Sequence, residues 1–128
     1  MKKRVCTMFA LLMSQLALGA TIERVSPSQA AQMQQSNEAV ILDVRETDEW
    51  NAGHIAGAIH IPLGEMQGRM SEIARYKNSS VITQCRSGTR SEKAAQALKQ
   101  AGFSSVYNLE GGINAWQKAD LAIEQKAK

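Results

Sequence analysis

The run Val81-Ile82-Thr83-Gln84-Cys85-Arg86-Ser87-Gly88-Thr89-Arg90-Ser91 decides how the chain is read. Val81-Ile82-Thr83 is the apolar part of a strand. From Ser91 to Ala101 the residues Ala94, Ala97, Leu98 and Ala101 share one face of a helix, and Gly102 is a stop signal. Cys85 therefore lies in a strand–loop–helix turn. Such a turn gathers backbone N–H groups into a concave nest at the positive end of a helix. A thiol held there is stabilised as thiolate, and an anion can be held above it. Gly88 permits the tight curl, because it takes backbone angles that side chains forbid.

Magnitudes show what the nest must supply. A free thiol, with pKa about 8.5, is only a few per cent ionised at neutral pH. Lowering any thiol by two units takes about 2.7 kcal/mol. A helix macrodipole gives about 0.3–1 kcal/mol, whereas each hydrogen bond to a charged group gives about 1.5–3 kcal/mol. The backbone nest has to dominate. Cys85 is thus the candidate nucleophile. Arg86, Ser87, Gly88, Thr89 and Arg90 form the candidate binding loop, the two arginines steering an anionic substrate. A buried, inert cysteine closing a strand is the competing reading, but Gly, Ser, Thr and two Arg around it describe an anion site rather than a core.

Outward from the loop, strand and helix signals alternate. Thr21 to Val25 is β-prone; Ser26-Pro27 caps a helix reaching Gln35. Val40-Ile41-Leu42 reads as a strand covered on both faces. Thr47 is expected to cap a short helix carrying Glu49 and Trp50, ended by Gly53. Ala58 to Ile61 is a brief strand stopped by Pro62, and Leu63, Met66, Met70 and Ile73 recur at helical spacing. Val106 to Leu109 is the last strand, and Gly111-Gly112 turns the chain into a helix from Ile113 to Ala119. Strands separated by helices imply parallel pairing through right-handed crossovers. The fold expected is α/β, a five-stranded parallel sheet flanked by helices on both faces, formed by residues 21–128 as one domain. Asp43 and Arg45 are expected to brace the strand ends near the site. His54 and His60 are assigned no catalytic part, Trp50 and Trp116 are assigned to the core or helix packing, and the methionines after the leader to gap-filling.

The 128 residues carry a net charge of +3, and the surplus sits in Lys2, Lys3 and Arg4. The remainder is balanced, so a pI near 9.0 is no sign of a nucleic-acid surface. Those basic residues precede an apolar stretch and a small-residue end, the three-part pattern of a cleavable secretory signal over residues 1–20. Cleavage after Gly19 and after Ala20 both fit. The stretch is short for a membrane span, which wants about 20 residues, so export to the periplasm is expected rather than a retained anchor. Cys6 leaves with the leader. Cys85 is then the one thiol of the mature chain, with no internal disulfide and no Cys-x-x-Cys metal site.

Cys85-Arg86-Ser87-Gly88-Thr89-Arg90 resembles the six-residue active loop of the rhodanese family, the thiosulfate sulfurtransferases. Leu42-Asp43-Val44-Arg45 and Gly53-His54-Ile55-Ala56-Gly57-Ala58, running to Ile61-Pro62, resemble the family's first signature. Gly111-Gly112-Ile113-Asn114-Ala115-Trp116 resembles its closing segment. The likeness spans about Val25 to Lys118, in order. It implies the single-domain, exported bacterial type and a double displacement: Cys85 takes sulfur from a small anionic donor such as thiosulfate, becomes a persulfide, and passes the sulfur to a thiophilic acceptor (cyanide, a thiol or a protein). It implies no cofactor and no metal; the balanced charge and the departure of the leader lead us to expect no nucleic-acid and no membrane partner. The rival enzyme is a phosphatase or arsenate reductase, whose loop places arginine six residues after the cysteine; here Arg90 is five residues on and Ser91 is sixth. A sulfur carrier and a non-catalytic binding module of the same fold are the other readings.

Overall fold

The computed structural model describes residues 21–125, so the expected leader over residues 1–20 and the last three residues lie outside the described residues. The strands β1 (Glu23–Val25), β2 (Ala39–Asp43), β4 (Ile59–His60), β5 (Ser80–Gln84) and β6 (Ser105–Leu109) make one parallel sheet in the order β1-β6-β5-β2-β4. Helix α1 (Pro27–Gln35) starts at Ser26, whose hydroxyl accepts Gln29 N–H at 3.1 Å. The remaining helices are α2 (Thr47–Ala52), α3 (Met66–Arg69), α4 (Thr89–Gln100) and α5 (Gly112–Lys118).

Period-two alternation assigns side chains to two cores. Leu42, Val81 and Val106 point to one face and pack with Met66, Ile73, Ala94, Leu98 and Phe103. Ile41, Ile82 and Leu109 point to the other and pack with Ala30, Ala31, Ile113 and Trp116. Both faces are covered, which is why β2 and β5 read as unbroken apolar runs.

Several boundaries differ from the expectation. Glu46, not Thr47, precedes the first turn of α2, and its N–H is taken by Glu49 Oε1 at 2.9 Å. The stretch behind Pro62 is not one helix but a 3-10 turn (Leu63–Glu65), α3, and a second 3-10 segment (Met70–Tyr76). Helix α4 begins two residues before Ser91, so Thr89 and Arg90 belong to its first turn. A small antiparallel pair, β3 (His54–Ile55) with β7 (Ile123–Glu124), was not legible in the sequence; two residues a side carry no periodicity.

One close approach positions the site. Cys85 O accepts Ile113 N–H at 2.9 Å and Arg86 O accepts Asn114 N–H at 3.2 Å, joining the loop after β5 to the start of α5. Gly112 sits between them at φ +61°, and a Cβ there would collide with the Arg86 carbonyl and lie 2.6 Å from Cys85 O. Both left-handed backbone and contact forbid a side chain. Gly112→Ala should cost about 2–4 kcal/mol, read as a fall in urea midpoint at unchanged m-value. Gly68→Ala, in α3 with nothing within 4 Å of the added carbon, is the control expected to leave stability unchanged or raised.

Candidate active site

Cys85 follows β5, and as a residue it is 1% exposed. Its Sγ accepts Gly88 N–H at 3.1 Å and faces Ser91 Oγ at 3.3 Å. Burial pushes the thiol pKa up. The Ser91 hydroxyl and the backbone amides of Ser91, Gly88 and Ser87 push it down, and the balance lies below the ordinary value. Gly88, at φ +123°, lets the loop turn its amide inward.

Ser91 is itself held. Its Oγ lies 2.6 Å from Asn108 Oδ1, and Asn108 Nδ2 donates to Gly88 O at 3.1 Å and to Glu92 Oε1 at 3.2 Å. Asn108 stands on β6 and Ser91 in α4, so the network ties the neighbouring strand to the loop. Thr83 Oγ1, 2.9 Å from Ser91 O, fixes the same turn from β5.

The two loop arginines point to one carboxylate. Arg90 forks onto Glu49 with Nη1–Oε1 at 2.7 Å and Nη2–Oε2 at 3.0 Å; Arg86 Nη2 reaches Oε2 at 3.0 Å. Arg90's hydrogen bonds hold Glu49 well below the usual carboxylate range, against burial and with help from the Glu46 amide and Arg86. Arg86 and Arg90, expected to steer an anionic substrate, are both ion-paired to Glu49. Ser87 is exposed on the loop and Thr89 is exposed at the start of α4. Asp43 and Arg45 lie behind the site: Arg45 Nη2 meets Asp43 Oδ2 at 2.8 Å and Gly53 O at 2.8 Å, both side chains buried. Trp50 is half-buried and stacks on both histidines, with His54 at 3.6 Å and His60 at 4.7 Å between ring centroids. His54 Nδ1 lies 2.9 Å from Trp50 O and His60 Nε2 lies 2.8 Å from Arg45 O, so each ring has a nitrogen committed to a backbone carbonyl.

Residues 26–119 match the model of the rhodanese-like domain. The chain belongs to the rhodanese-like domain family. A Bacillus subtilis protein named as a proposed sulfur carrier, YrkF, is 40% identical over 98 residues, 76% of this chain but 52% of that protein, so this chain spans about half its length. A sulfurtransferase of Allochromatium vinosum is 37% identical over 98 residues, 77% of this chain and 90% of that protein. The crystal structure of a rhodanese-like domain protein from Staphylococcus aureus superposes with a TM-score of 0.72 at 27% identity, covering 83% of this chain and 100% of that one. This rhodanese-like domain therefore has sulfurtransferase relatives, and its five-stranded parallel sheet matches the fold of solved rhodanese-like structures.

Glu49, Ser91 and Asn108 were not singled out in the sequence as site residues. Asn108 carried a signal, as a polar residue in the last core strand. Glu49 carried none beyond its helical position.

Removing the Ser91 hydroxyl leaves burial in place and deletes a donor. In Ser91→Ala the pH profile of iodoacetamide alkylation of Cys85 should move to higher pH; an unmoved profile would mean that the amides alone set ionisation. Because the folded-state value is depressed, ionised Cys85 stabilises the fold above the unfolded thiol's pKa. That contribution is lost as pH falls through the folded value. Relative to Cys85→Ser, the wild type should therefore lose stability on acidification through that window.

Proposed function

We propose that this rhodanese-like domain is a sulfurtransferase that carries a sulfane sulfur on Cys85. The Cys85 thiolate attacks the outer sulfur of a donor, forming a new S–S bond as the donor's own bond to that sulfur breaks. With thiosulfate the leaving group is sulfite, which takes the electron pair. A thiophilic acceptor (cyanide, a low-molecular-weight thiol or a protein thiol) then removes the sulfur and restores the thiolate. The reaction needs no cofactor, since the cysteine holds the transferred atom. The observation that carries this reading is the Sγ environment: a buried sulfur facing Gly88 N–H at 3.1 Å and the Ser91 hydroxyl at 3.3 Å, at the first turn of α4. The Gly88 amide stabilises the attacking thiolate and, after transfer, a persulfide anion in the same loop, and the Ser91 hydroxyl adds to this when its single proton turns from Asn108 Oδ1 to the sulfur.

The basic, apolar and small-residue order of residues 1–20 supports periplasmic export of the domain. The phosphatase reading is disfavoured, since the sixth position after Cys85 is Ser91. Intact-mass measurement after incubation with thiosulfate should show a gain of one sulfur atom, reversed by cyanide and absent in Cys85→Ser. A folded Cys85→Ser protein that still gains sulfur would place the nucleophile elsewhere.

A further inference from the structure

The loop arginines do not face the donor as two free charges. Glu49 Oε1 accepts from the Glu46 amide and Arg90 Nη1, and Oε2 accepts from Arg90 Nη2 and Arg86 Nη2. A carboxylate has about four acceptor sites; here each is occupied. Glu49 is anchored by its own helix, with its side chain 17% exposed, so it is a fixed counter-charge rather than a passing surface partner. Arg86 plus Arg90 minus Glu49 leaves one net positive charge around the loop. Glu46 lies close enough to act on Arg90, and beside Ser87, Gly88 and Thr89 the cations Arg24 and Lys93 are matched by Glu92 and Glu110, so the remaining neighbours add no further positive charge.

We propose that Glu49 is a specificity-determining residue: by occupying both loop arginines it leaves a mouth suited to a singly charged organic sulfane-sulfur donor, a thiosulfonate or a persulfide, rather than to the thiosulfate dianion. This rests on the sulfur transfer through Cys85 proposed above. A thiosulfonate anion reacts in balance. Cys85 thiolate bonds to its outer sulfur, the S–S bond of the donor breaks, and a sulfinate leaves with the electron pair, giving the same Cys85 persulfide that thiosulfate gives with loss of sulfite. No oxidant or reductant is needed. The two donors differ by one negative charge on an otherwise similar frame.

The size of the effect follows from Coulomb's law. At about 8 Å in a nearly aqueous environment, one added positive charge favours each unit of negative charge roughly two- to threefold. The dianion gains this twice and the monoanion once, so their ratio changes by roughly two- to threefold.

The test compares second-order rates of Cys85 persulfide formation from thiosulfate and from methanethiosulfonate, followed by intact mass. Taking the ratio of the two donors on the same cysteine cancels any general disturbance of the nucleophile. In Glu49→Gln, which keeps an acceptor for the arginines, the thiosulfate-to-methanethiosulfonate ratio should rise roughly two- to threefold at low salt. In Arg86→Gln, which leaves Arg90 and Glu49 balanced, it should fall by a similar factor. Both ratios should approach that of the wild type at 1 M salt, where screening acts within about 3 Å. A ratio that stays constant across the variants, or moves the opposite way, overturns the role of Glu49 while leaving sulfur transfer intact. A wild type that takes sulfur from neither donor overturns sulfur transfer itself, and this proposal with it.

Discussion

The site depends on how the back of the Cys85 loop is held. Peptide units are planar, so fixing a carbonyl also fixes the amide joined to it. Cys85 O accepts from Ile113 N–H and from Gln84 Nε2, and Arg86 O accepts from Asn114 N–H. With those carbonyls turned back towards α5, the loop's amides can turn towards the sulfur. The arrangement requires α5 to come within backbone contact of the loop, which only a residue without Cβ allows at position 112. The parallel order β5-β6 brings the two strand ends side by side and makes that contact possible.

Electrostatics at the front follow from the same rigidity. Desolvation raises the thiol pKa, and the competition is decided by donors whose positions are set elsewhere: Gly88 by the loop, Ser91 by Asn108 and Thr83. At about 1.5–3 kcal/mol for each hydrogen bond to a charged group, a few well-placed donors exceed the helix dipole's about 0.3–1 kcal/mol. The arginines contribute differently. Tied to Glu49 on α2, they connect the loop to the opposite side of the mouth and set its charge, while the thiolate's stability comes mainly from short polar contacts.

Alternating apolar runs made the architecture legible. Val40-Ile41-Leu42 and Val81-Ile82-Thr83 became adjacent central strands, and Gly102 and Gly111-Gly112 became turns with positive φ. The loop of the candidate nucleophile was legible because it is continuous in sequence. What escaped was non-local. Glu49 meets Arg86 across 37 residues and Ser91 meets Asn108 across 17, separations that no local pattern encodes. Trp50 escaped for a related reason: an aromatic in an amphipathic turn reads as core, and its two stacking partners come from the following β3 and β4. Where the Leu63–Tyr76 stretch breaks into 3-10 and α pieces, helical spacing had captured the buried side, Met66 and Ile73, but not the backbone.

Ser91 also links the core to the chemistry of the loop. It has no exposed surface, lies in the first turns of α4 and sits between Cys85 Sγ and Asn108. An arginine at that position, as a tetrahedral-oxyanion cradle would need, must drive a long cation into space closed by β6 or swing the helix start away from the sulfur. The first leaves a buried charge facing an amide already bonded to Gly88 O and Glu92; the second removes the contact that stabilises the thiolate. Packing at the start of α4 therefore favours the proposed sulfur chain standing on Cys85 over a tetrahedral anion lying over it. A serine fits there because it is small enough for the core and polar enough to face both the sulfur and Asn108.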